Sequence, residues 1–142
     1  MNIQIKGSVL DFFKLEKSNW VDESLSDDKC NGELSFGFTP EFYDDSKAYD
    51  IVFNMTFNHR EGIEFTMMYR AQFITDDVIT DEFKESPFVF VNSPAIAYPF
   101  LRAYVSNVLL MSGYEPMMLP TINFQKLYKD KQAKDKMSSN TL

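Results

Sequence analysis

Residues able to do covalent or acid–base chemistry are few and scattered in this chain. His59 is the only histidine and Cys30 the only cysteine among 142 residues, so one chain can build neither a disulfide nor a Cys/His metal cluster. A nucleophilic triad needs a base beside its nucleophile. His59 instead falls in the short polar run His59-Arg60-Glu61-Gly62, where an exposed hairpin turn is the expected role. The carboxylate pairs Asp27-Asp28, Asp44-Asp45 and Asp76-Asp77 lie in loop sequence and read as solvated turns. The five glycines are isolated, so no phosphate-cradling loop is present. The sequence therefore argues against an enzyme and against a bound metal or cofactor.

The chemistry present in excess is soft and apolar. Fourteen residues are Phe and eight are Met, and aromatic side chains make up 15% of the chain, more than the core of a small domain readily hides. The densest stretch is Met117-Met118-Leu119, framed by Pro116 and Pro120 and followed by Ile122, Phe124, Leu127 and Tyr128. Flexible thioethers and aromatic rings repack around varied partners, so these seven residues are the candidate lining of a site for other polypeptides. The same residues would serve equally as core beneath a loop. The formal charge of −7, with no basic stripe, excludes nucleic acid as a natural partner. No apolar run approaches a membrane span, and MNIQIKGSVL lacks the layout of a signal peptide, so a cytoplasmic protein is expected.

Four segments alternate with period two, as strands with one covered face do. Ile3, Ile5, Val9, Phe13 and Leu15 share one parity in the first, where Leu10 and Phe12 break the pattern and predict a bulge or a second contact. Leu34, Phe36 and Phe38 mark the second, which Pro40 is expected to end. Tyr49, Ile51, Phe53, Met55 and Phe57 mark the third. Ile63, Phe65, Met67, Tyr69, Ala71 and Phe73 mark the fourth. Strands first and helices last predict an α+β domain: a four-stranded antiparallel sheet covered by two C-terminal helices.

Ser93 is the expected N-cap of the first helix, with Pro94 at its first position and Gly113 as its stop. Phe100, Leu101, Tyr104, Val105, Val108 and Leu109 make this helix apolar on more than one stripe. Such a helix needs two covers, the chain's own sheet and a second subunit. The second helix starts after the N-cap Asn123 and soon turns polar. One domain over residues 1–136 and a disordered tail over 137–142 complete the expected layout.

At Ser93-Pro94, Ala97-Tyr98-Pro99-Phe100, Arg102, Gly113, Pro116, Leu119-Pro120, Asn123-Phe124 and Leu127-Tyr128, the chain resembles the most characteristic segment of the SecB family of bacterial protein-export chaperones. The resemblance implies a homotetramer, built as a dimer of dimers, that holds unfolded or precursor polypeptides in apolar grooves without ATP. It also implies that Pro94–Ser112 forms the dimer–dimer interface and that the helix from Asn123 edges the groove. Family members that dock the SecA translocase motor carry acidic residues on the outer sheet face. Glu16 matches one of these, but Phe12 and Met68 stand where carboxylates are expected, so motor docking is expected to be weak or absent. A dedicated partner-binding role on the same fold, as in a toxin–antitoxin pair or a phage, is the alternative.

Overall fold

A computed structural model of the chain describes residues 1–18 and 31–139; Trp20, Asp27, Asp28 and Cys30 lie outside the described residues. Strands β1 (Ile3–Lys17), β2 (Asn31–Phe42), β3 (Ala48–His59) and β4 (Ile63–Thr75) form one antiparallel sheet in the order β1-β4-β3-β2. Helix α1 (Asp81–Lys84), a π-helical turn over Phe88–Asn92, helix α2 (Ser93–Met111) and helix α3 (Phe124–Ser139) follow. The α+β class and the helix-covered four-stranded sheet agree with the sequence expectation. None of the helices described is long and apolar enough to cross a membrane.

The β3–β4 hairpin closes at Gly62, whose φ of 78° lies in the left-handed region that a side chain disfavours. Alternation then sends Tyr49, Ile51, Phe53, Met55 and Phe57 of β3 into the core with Ile63, Phe65, Met67, Ala71 and Phe73 of β4. Helix α2 covers them with Leu101, Val105 and Leu109, one turn apart and each 0% exposed.

β1 departs from its expected parity. Its register against β4 shifts twice, between Ile5 and Gly7 and between Leu10 and Phe12, so Lys6 and Asp11 are the extra residues. Each extra residue flips the faces. The second shift is the bulge expected at Leu10 and Phe12. The first was not expected, and it carries Val9 to the outer face, where it is 45% exposed. After the second shift Phe13 and Leu15 return to the inner side.

Two other expectations need correction. Pro40 does not end β2, which continues to Phe42 with Pro40 opposite Ile51. β2 is an edge strand, and an edge tolerates proline because the missing N–H can face away from the ladder. Ser93 is not an N-cap, since the π turn runs straight into α2. Its hydroxyl is fully buried, donating to the Phe88 carbonyl at 2.5 Å and bonded to the Tyr49 hydroxyl at 2.6 Å. Helix α3 runs through Ser139.

Candidate functional site

The linker between α2 and α3 is held by side chains. Its two prolines cannot donate backbone hydrogen bonds, and its carbonyls are taken up from three directions. Tyr98 donates to the Pro120 carbonyl at 2.6 Å and Ser106 to the Met117 carbonyl at 3.0 Å, while His59 Nε2 lies 3.1 Å from the Glu115 carbonyl. His59 is therefore not the exposed turn residue expected from the sequence: it is 1% exposed. Its Nδ1 accepts the Glu61 N–H at 3.1 Å, which puts the ring proton on Nε2, facing Glu115. Burial pulls the imidazole below its ordinary pKa, and the Glu61 carboxylate opposes this. The Glu61 carboxylate also accepts the Glu115 N–H, and Arg60 pairs with the Glu115 carboxylate.

So tethered, the linker is extended and its side chains alternate. Met117 and Leu119 are each 2% exposed, whereas Met118 between them is 78% exposed. Phe124, the first residue of α3, is 5% exposed and packs edge-on against Phe38 and Tyr98. Asn123 caps this helix as expected, its side chain accepting the Lys126 N–H at 3.0 Å. Met117, Leu119 and Phe124 are thus core in this structure and not open to a partner. Ile122 is half-buried against the same core.

The remaining two residues of the expected lining meet at a groove. Leu127 and Tyr128 of α3, with Lys131, form one wall of an open pocket of about 530 Å³. Phe90 from the π turn and Phe36, Gly37, Phe38, Thr39 and Pro40 of β2 complete it. Phe90 stacks on Tyr128, and the Lys131 ammonium lies 3.7 Å from the centre of the Phe90 ring. Tyr128 also donates to the Glu85 carbonyl at 2.9 Å, anchoring α3 beside α1. A groove with aromatic and aliphatic walls and one cation at its rim can hold an apolar side chain and an extended main chain. Sequence reading missed the contribution of Phe36, Phe38, Phe90 and Lys131. Phe36 and Phe38 read only as inward strand positions, and the apolar run Phe88–Val91 was the one available signal for Phe90.

The expected interface residues also divide. Leu101, Val105 and Leu109 are buried inside the protomer and are not available to a partner, because they are the residues α2 lays on its own sheet. Tyr104 and Val108 are half-buried. Phe100 is 51% exposed, and with Ile96, Leu110 and Met111 it forms an outward apolar stripe along α2.

On the outer sheet face, Phe12 sits directly opposite Met68, both exposed, and Glu16 lies opposite Glu64. Beside them Arg70 of β4 binds Asp11 and Asp50 at 2.8 Å each, together with Glu41. One guanidinium thereby links all four strands. Tyr43 donates to Asp50 at 2.5 Å, and this bond raises the phenol's pKa.

A family model described as preprotein translocase subunit SecB matches residues 44–135, well over half of the chain. The protein-export protein SecB of Zymomonas mobilis is 30% identical over 57% of this chain and 49% of its own length. That of Mesorhizobium japonicum is 24% identical over 66% of this chain and 57% of its own length. The chain thus spans about half the length of the curated relatives it matches. A solved SecB-like chaperone of Mycobacterium tuberculosis, in complex with a ChAD peptide from the HigA1 antitoxin, shares the fold with a TM-score of 0.65. That match covers 85% of this chain and 90% of the other at 15% identity. By the extent of the family match and the shared architecture, the chain belongs to the SecB family.

Proposed function

We propose that this protein is an ATP-independent chaperone that holds unfolded or precursor polypeptides, in protein export or in a specialised SecB-like role. The observation that carries this reading is the groove between β2, the π turn and α3. It is open, walled by Phe36, Phe38, Phe90, Leu127 and Tyr128, and about 530 Å³ in volume. Apolar contacts of this kind suit clients that share no sequence. Relatives named protein-export protein support the export setting, and with it the cytoplasm. The outward stripe Ile96, Phe100, Leu110 and Met111 supports a homotetramer, a dimer of dimers, with α2 at the dimer–dimer contact. The Phe12–Met68 pair supports weak or absent docking to a SecA-type motor, since two apolar side chains stand there where carboxylates are expected.

A second reading is a dedicated partner-binding subunit. It is favoured by the antitoxin peptide carried by the Mycobacterium tuberculosis neighbour. The test uses three unrelated proteins diluted from denaturant, with and without ATP. Suppressed aggregation of all three, unchanged by ATP, is expected of a general chaperone. Suppression of none would reject that reading in favour of the dedicated subunit.

A further inference from the structure

We propose that the tip of the β3–β4 hairpin is an acid-sensitive latch on the α2–α3 linker: protonation of His59 frees Glu115 and uncovers Met117. The latch is independent of what the groove holds.

Three consecutive residues of the hairpin, His59, Arg60 and Glu61, close on one residue of the linker. The Glu115 carbonyl lies 3.1 Å from His59 Nε2, its N–H donates to the Glu61 carboxylate at 3.0 Å, and its own carboxylate pairs with Arg60. The hairpin side of the latch is pinned. Gly62 donates to the His59 carbonyl at 3.0 Å and accepts the Ser18 N–H at 2.8 Å. The linker side can turn, because it leaves α2 at Gly113, whose φ of 89° is left-handed. Two residues past Glu115, the carbonyl of the buried Met117 accepts one neutral hydrogen bond, from Ser106.

A single carboxylate oxygen couples the imidazole to the linker. Glu61 Oε2, which accepts the Glu115 N–H, also lies 3.6 Å from His59 Nδ1. In the neutral ring Nδ1 accepts the Glu61 N–H at 3.1 Å. Protonation turns Nδ1 into a donor, so that bond is lost and the carboxylate is drawn from Glu115 to the ring. The Nε2–H bond to the Glu115 carbonyl persists, but it then holds a cation at a site 1% exposed. Part of the cover over that cation is the linker itself, and lifting the linker lets the ring hydrate.

The groups facing His59 come from each neighbouring element. On its own hairpin, Glu61 favours the proton and Arg60 opposes it. From the linker come Glu115, its carboxylate held by Arg60, and the Tyr114 ring, 6.2 Å away. On β2 and β4 the positions paired with His59 are Asn31 and Ile63, neither of them charged.

The test is methyl NMR of the full chain carrying carbon-13 methionine methyls, titrated from about pH 8 to about pH 5. Met117→Leu and Met118→Leu assign the two linker signals. As pH falls below about 6.5, the Met117 methyl is expected to move toward the position of the exposed Met118 methyl. The core methyls of Met55 and Met67 should stay in place. His59→Gln keeps a neutral N–H donor and should hold Met117 still through the whole range. Glu61→Gln keeps an oxygen for the Glu115 N–H but removes the charge that favours the His59 proton. Its midpoint should fall by about 0.3–0.7 pH unit, the scale of one partly exposed charge contact. A Met117 methyl that stays put in the unmodified chain would overturn the latch, as would an unshifted midpoint in either variant. Movement of Met55 and Met67 together with Met117 would mean unfolding of the sheet and would also overturn it. Should His59→Gln fail to fold, the midpoint of Glu61→Gln decides alone.

Discussion

The rings of Phe90 and Tyr128 lie 5.8 Å apart with only 18° between their planes, joining the π turn to α3 at a wall of the groove that both residues line. An aromatic pair of this kind contributes about 0.5–1.5 kcal/mol beyond the area it buries. Tyr128→Ala should therefore lower stability by about 1–2 kcal/mol in urea unfolding. Tyr128→Phe keeps the stack and loses only an exposed hydrogen bond, so it should lose about 0.5 kcal/mol or less. Equal losses in the two variants would mean that the stack does not hold α3.

The linker makes a sharper contrast between adjacent residues. Met117→Ala empties a packed site and should cost about 2–4 kcal/mol. Met118→Ala, at a side chain 78% exposed, should stay within about 0.5 kcal/mol. Melting both variants side by side checks the alternation directly. Similar melting temperatures would contradict the extended linker.

Protonation of His59 works against the fold. The folded imidazole binds its proton less tightly than the unfolded one, so between the two pKa values the unfolded chain holds more protons. The stability that neutral His59 contributes is complete above the unfolded value of about 6.5 and is lost as pH falls through the folded value. The urea midpoint should therefore drop between about pH 7.5 and about pH 5.5. His59→Gln should flatten part of that drop, and an unchanged slope in the variant would assign the acid sensitivity to other groups.

The two sides of α2 should respond differently to charge. Phe100→Glu or Leu110→Glu places a carboxylate on the exposed stripe and should dissociate the proposed tetramer into smaller, folded species in sedimentation velocity. Leu109→Glu, at a side chain fully buried in its own protomer, should cost about 3–5 kcal/mol and unfold the chain itself. A folded, dissociated Leu109→Glu variant would contradict the packing of α2 on the sheet.

The sheet was legible wherever a single period governed a segment. β3 and β4 keep one parity from end to end, so Tyr49–Phe57 and Ile63–Phe73 point as their pattern requires. β1 was legible at Ile3, Ile5, Phe13 and Leu15 but not at Val9, because an extra residue at Lys6 reverses the faces without leaving a compositional mark. His59 and Ser93 look like turn and cap residues in sequence. Their burial depends on Glu115 and Tyr49, partners distant in the chain. The groove was half legible for the same reason: Leu127 and Tyr128 stand in the characteristic segment, while Phe36, Phe38 and Phe90 reach them only through packing.

The central claim is that clients lie between β2, the π turn and α3. Hydrogen exchange measured by mass spectrometry, with and without a bound unfolded protein, tests it most directly. Segments covering Phe36–Pro40, Phe90 and Leu127–Lys131 should gain protection on client binding, while the outer-face segment around Phe12 and Met68 stays unchanged. Protection confined to that outer face, with the groove segments exchanging as before, would contradict the account.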